Sequence, residues 1–158
     1  MARPTELNKS EVEKDPSLVW NAFIYLIGLS DPRDLNDTQS TAQFAFWYES
    51  EVQNGGHLQY FENMHTRHKD NLNLLIAATL DALRALGANE QAVILNAASE
   101  RYFSANRGHP TTVECFCDLQ GEKEFEDLDR RYYGCSPEMD YYFGKFLQAN
   151  LGEFVKLV

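Results

Sequence analysis

No stretch of the 158-residue sequence approaches the ~18 consecutive apolar residues that a membrane-spanning helix needs. Met1 to Asp15 is polar and lacks the apolar core of a secretory signal. A soluble protein kept in the cytoplasm is therefore expected. Cysteine is scarce, and Cys115, Cys117 and Cys135 make an odd number. An odd count without a signal segment argues against a disulfide framework and for reduced, buried thiols. There is no glycine-rich phosphate loop and no serine nucleophile elbow. A basic face interleaved with aromatics, the footprint of a nucleic-acid binder, is missing too.

Basic residues are the other shortage. The chain has 14 Lys and Arg against 24 Asp and Glu, a net charge of -10 and a pI near 4.8. Residues 1–64 hold ten acids and four bases, residues 65–110 four and five, and residues 111–158 ten and five. Duplex DNA carries roughly one negative charge per 1.7 Å, so a protein this acidic is repelled by it. The same field attracts basic proteins. Solubility is the plainer use of such a surface.

Apolar and aromatic residues are plentiful, at 44% and 13%, enough to bury a real core. Their spacing predicts an all-α, single compact domain of about six to eight helices over residues 15–158, after a polar N-terminal segment, residues 1–14. Ser17 to Leu29 is apolar almost all round and reads as the central buried helix. Asp37 is placed to cap a helix from Thr38 to about Gln53, followed by a short helix from His57. Asp70 is placed to cap a helix through Leu86, which Gly87 ends. Asn89 is placed to cap the next helix. Thr111-Thr112-Val113 is strand-like but has no evident partner strand. An acidic helix is expected from Glu122 to Tyr133, and a last one from Ser136-Pro137-Glu138 to about Asn150.

The stretch Glu49-Ser50-Glu51-Val52-Gln53-Asn54-Gly55-Gly56 lies between helical flanks. A hairpin turn at Asn54-Gly55 does not suit that periodicity. Two helix-interior glycines would cost about 2 kcal/mol. A corner is expected instead, with one glycine at positive φ. The N–H groups of Gly55, Gly56 and His57 could cradle a carboxylate, with Glu49 or Glu51 as the internal occupant. Glu49 and Asn54 are assigned to bracing this corner. Glu49 and Glu51 stand at i and i+2 and diverge on a helix, so they make no acid/base pair. His57, His65 and His68 read as surface residues, because Arg67 and Lys69 make a poor cation site. Cys115-Phe116-Cys117 has the wrong spacing for a common zinc motif, even with Cys135 and His109 added. No catalytic site, metal or cofactor is expected.

The densest charge cluster is Glu122, Glu124, Glu126, Asp127 and Asp129. Glu122, Glu126 and Asp129 follow i, i+4, i+7. With a rise of ~1.5 Å per residue they would stand roughly 4.5–6 Å apart in one line, on the scale of a phosphate track. A solvated helix face is the plain alternative. Asp31, Asp34 and Asp37 form a second acidic patch.

Tyr48-Glu49-Ser50-Glu51-Val52-Gln53-Asn54-Gly55-Gly56-His57-Leu58-Gln59-Tyr60-Phe61-Glu62-Asn63 resembles the signature of the DNA mimic protein 19 family, first catalogued as a bacterial domain of unknown function. Asp127-Leu128-Asp129-Arg130-Arg131-Tyr132-Tyr133 is similar to that family's acidic-aromatic segment. The resemblance runs from about Trp20 to Asn150. It departs at His57, where the family often has an aromatic. It implies an all-α homodimer whose acidic patches imitate DNA. It further implies a basic DNA-binding partner, such as a helix-turn-helix transcription factor, whose access to DNA is blocked. The carboxylates Glu122, Glu124, Glu126, Asp127, Asp129, Asp31, Asp34 and Asp37 are the expected contact surface. A helical interaction module using an apolar patch near Tyr132, Tyr133, Tyr141 and Tyr142 is the alternative. A hydrolase or metal enzyme built on Glu49, Glu51 and His57 is a third reading.

Overall fold

The structure is a computed structural model, and it describes residues 2–105, 108–121 and 123–158. Strand β1 is Thr5–Leu7. Helices α1 (Lys9–Lys14), α2 (Ser17–Leu29), α3 (Asp37–His68), α4 (Leu72–Leu86) and α5 (Asn89–Ser104) follow. Then come α6 (Val113–Gly121), α7 (Glu126–Tyr133), α8 (Met139–Ala149), α9 (Leu151–Phe154) and strand β2, Val155–Leu157. The fold is all-α in character, with one minor two-stranded sheet. In that sheet Thr5 pairs with Val155 and Leu7 with Leu157, in parallel. The polar N-terminal segment thus contributes a strand and a helix, fastened to the other end of the chain. No helix among the described residues is long and apolar enough to cross a membrane.

The axis of the fold is α3, not α2. Helix α2 buries only Ala22, Phe23, Leu26 and Ile27, while Tyr25 and Leu29 on its other side are 69% and 71% exposed. Its all-round apolarity therefore does not mark a central helix. Helix α3 buries residues along both its halves, from Ala42 and Ala45 to Phe61 and Met64. It packs most extensively against α4, whose stripe of Leu72, Leu75, Ile76, Leu80, Leu83 and Leu86 faces it. Asn36, not Asp37, caps α3. Its side chain accepts from Gln39 N–H while the Gln39 side chain accepts from Asn36 N–H. Asp70 lies in a 3₁₀ turn and α4 starts at Leu72 without a side-chain cap. Gly87 ends α4 in the left-handed conformation, as its position predicts. Asn89 begins α5 without capping it.

Two local expectations fail. Thr111-Thr112-Val113 forms no strand: Val113 opens α6, and the Thr112 hydroxyl accepts from Cys115 N–H at its start. The acidic helix begins at Glu126, not Glu122, because Lys123 takes a positive φ of 54° and breaks the helical run.

Candidate functional site

The glycine corner is real, and it divides α3. Gly55 has φ -163° and ψ 23°, while Gly56 has φ 75° and ψ -175°. The second is a glycine-only conformation, which no residue with a Cβ adopts cheaply. Breaking the ladder frees backbone groups, and other elements satisfy them. Tyr133 donates its hydroxyl to Val52 C=O at 2.7 Å. The Gln120 amide donates to Gly55 C=O at 3.0 Å. On the donor side, His57 N–H reaches Asp129 Oδ1 at 2.8 Å.

The corner therefore does cradle a carboxylate, but neither of the two nearby glutamates. Asp129, from α7, fills that place. Its Oδ1 also lies 2.5 Å from His57 Nδ1. A carboxylate at Nδ1 fixes the ring proton there, so Nε2 accepts from the Tyr48 hydroxyl, 2.8 Å away. His57 is fully buried, not a surface residue. Tyr48 is buried as well, which pushes its phenol pKa well up.

Glu51 clamps the two halves of α3 across the corner. Its Oε2 accepts from Asn63 at 2.7 Å and Gln59 at 3.1 Å, and Arg67 lies 3.7 Å from Oε1. Glu49 faces another way. It accepts from the Tyr132 hydroxyl and, at 3.0 Å, from Gln53, so it ties α3 to α7 and does not brace the glycines. Asn54 is exposed and makes no side-chain bond among the described residues. Glu49, Glu51 and His57 thus have separate partners and do not converge on one reacting centre.

The expected phosphate-like row is not a row. Glu122 lies outside the described residues. Asp129 points inward, to the corner. Asp127 is exposed but clamped by Arg101, with oxygen–nitrogen distances of 2.6 and 3.0 Å. That guanidinium, through its hydrogen bond above all, holds the Asp127 pKa down at about 2. Glu126 has Arg130 at 3.2 Å and Lys123 at 3.8 Å. Glu124 is half-buried, and its backbone carbonyl accepts from Arg101. In the second patch, Arg33 grips Asp31 at 2.6 Å and its hydrogen bonds hold the Asp31 pKa at about 2. Asp34 sits in a 3₁₀ turn, and Asp37 is exposed in the first turn of α3. Among the described residues, Glu11, Glu13, Asp15, Asp37, Asp70, Glu100, Glu114, Asp118, Glu138, Asp140 and Glu153 are exposed acids without an ion-pair partner.

Cys115 and Cys117 are exposed and only Cys135 is buried, so two of the three thiols are not the core residues expected. Among the described residues no three metal-ligating side chains converge. Tyr132 is buried and Tyr142 half-buried, while Tyr133 and Tyr141 are each 50% exposed. A second buried polar group escaped sequence reading. Glu62, 5% exposed, accepts from the Tyr102 hydroxyl at 3.2 Å, and its other oxygen lies 3.1 Å from His109 Nδ1. His109 stacks on His65 with ring centroids 3.5 Å apart. Its only sequence signal is a charged residue at a core position of α3.

A family model described as "DMP19-like protein" matches residues 33–155, from the 3₁₀ turn before α3 to the start of β2. The chain belongs to the DMP19-like family. The matched region holds the whole glycine corner, Asp129 and every helix from α3 to α9, while β1, α1 and α2 precede it. No curated protein and no solved structure matches the chain significantly.

Proposed function

We propose that this DMP19-like protein is a non-enzymatic DNA mimic. It occupies the basic surface with which another protein, such as a helix-turn-helix transcription factor, grips DNA, and so blocks access to the duplex. The family match over residues 33–155 carries this reading. The net charge of -10 supports it, because it favours basic protein partners and disfavours nucleic acid. Within the surface, the weight falls on exposed carboxylates that lack an internal cation, among them Asp37, Glu114, Asp118, Glu138 and Asp140. Asp31, Glu126 and Asp127 contribute less, since arginines already neutralise them.

The test is capture of DNA-binding proteins on the immobilised chain, followed by a salt titration of the complex. Binding that weakens steeply with salt supports mimicry. Binding that is flat with salt, or a bound set without basic proteins, contradicts it. The acting form in this reading is a homodimer. Sedimentation is expected to find a species of twice the 18.1 kDa chain mass, and a monomer at all concentrations would refute that part.

A further inference from the structure

A cavity of about 200 Å³ opens between α3, α5 and the α7–α8 connection. Its wall includes Glu49, Gln91, Tyr132, Tyr133 and Glu138. The volume is several times the roughly 30 Å³ that a water takes in the liquid, so a side-chain head group fits. The wall is rich in acceptors and poor in cations. Among the described residues neither Glu49 nor Glu138 has an ion-pair partner. No described arginine or lysine lines the cavity, and the guanidinium of Arg131 is directed at Glu90, 3.7 Å away.

Gln91 supplies the independent sign. It is 1% exposed, and its amide nitrogen donates to Pro137 C=O at 3.1 Å. That bond fixes which end of the amide is which. It leaves Oε1 as a buried acceptor with no donor. Such an orphan costs about 1–3 kcal/mol, and a donor brought into the cavity would relieve it. Gln91 Oε1 wants a donor, and the two carboxylates want positive charge: Glu138 has no ion-pair partner, and Glu49 accepts only from the neutral Tyr132 and Gln53. The half-exposed ring of Tyr133 beside them suits a planar cation.

We propose that this cavity receives one arginine side chain of the partner protein, whose guanidinium fork bonds Glu49, Glu138 and Gln91 Oε1. Arginine fits better than lysine because it offers several donors in one plane and stacks on aromatic faces. This rests on the mimicry reading and sharpens it. The chain takes a phosphate-binding arginine out of service by sequestering it in a cleft, not only by facing it with a charged surface.

The probe is N-acetyl-arginine methylamide, titrated into the full chain and followed by the ¹H–¹⁵N signals of the Gln91 side-chain amide. A saturable shift is expected, with N-acetyl-lysine methylamide binding more weakly. Glu138→Gln is expected to weaken the arginine probe about tenfold, the loss of one charge-assisted hydrogen bond. Glu138 is exposed, without an ion-pair partner, and its charge repels that of Glu49, so that variant is expected to stay folded with an unfolding midpoint no lower than wild type. No shift, a shift unchanged by Glu138→Gln, or displacement of the probe by equimolar zinc or magnesium chloride would overturn the proposal. The outcome is separable from the mimicry reading. A basic partner held in a salt-dependent complex that Glu138→Gln leaves untouched defeats the pocket alone, while a bound probe with no basic partner defeats mimicry alone.

Discussion

Asp129 Oδ1 accepts from the backbone N–H of His57 at 2.8 Å and lies 2.5 Å from that residue's ring Nδ1. One carboxylate from α7 therefore holds both the backbone and the side chain of the residue that restarts α3 after its corner. A residue that read as part of a surface charge row is a fold determinant, and the acidic surface must be found elsewhere.

Gly56→Ala tests the corner. Its φ of 75° with ψ -175° is a glycine conformation, and an added Cβ would sit 2.5 Å from Asp129 Oδ2. Backbone strain alone is expected to cost roughly 1–3 kcal/mol, with displacement of Asp129 adding to it. Urea unfolding measures this. A midpoint unchanged from wild type would mean that the corner tolerates a side chain.

Asp129→Ala and Asp127→Asn separate the two roles of neighbouring acids. The first strips two hydrogen bonds from buried His57 and is expected to cost roughly 2–4 kcal/mol. The second breaks an exposed pair with Arg101 and is expected to cost less than about 1 kcal/mol. Tyr48→Phe, which leaves His57 Nε2 buried without its donor, is expected to cost about 1–3 kcal/mol. Equal losses for the two aspartates in thermal or urea unfolding would contradict the inward role of Asp129.

Glu49 gives a pH test. Burial raises its pKa above the ordinary 4.5, against the Tyr132 and Gln53 hydrogen bonds, and the charges of Asp140 and Glu138 add to the rise. A group whose pKa is raised by folding lends stability below its unfolded value and loses it as pH climbs through the folded value. Glu49→Gln is therefore expected to gain stability relative to wild type between pH 4 and pH 7. Parallel stability curves across that window would show that the carboxyl ionises freely. The same variant is expected to lose the arginine probe, so the group that strains the empty cleft is the one that serves a bound cation.

Partner binding gives the fourth test. Asp127→Asn removes a charge that Arg101 already neutralises, while Asp140→Asn removes an unpaired one. The second is expected to reduce the association rate and the salt slope more than the first. The reverse order in surface-plasmon kinetics would place the contact on α7 instead.

Much of this architecture was legible in the chain. Helical periodicity marks α2 to α5, α7 and α8 but not β1, α1, α6, α9 or β2, Gly87 marks the C-cap of α4, and Asn54-Gly55-Gly56 marks both a corner and a family. What could not be read depended on partners far apart in sequence. His57 looks like a polar surface residue until α7 brings Asp129 to it from 72 positions away. The same distance hides why Asp129 leaves the acidic row. The all-round apolarity of α2 misled, because only one side of it meets the core. The Gln91 orphan was invisible, since unmet hydrogen bonding is a property of packing and not of composition.

The most direct measurement is competition on a captured DNA-binding protein. Fluorescently labelled duplex is bound to it, and the acidic chain is titrated in at several salt concentrations. Displacement of the duplex is expected, with an affinity that falls steadily as salt rises. A partner that keeps its DNA while binding the chain, or an affinity indifferent to salt, would contradict mimicry.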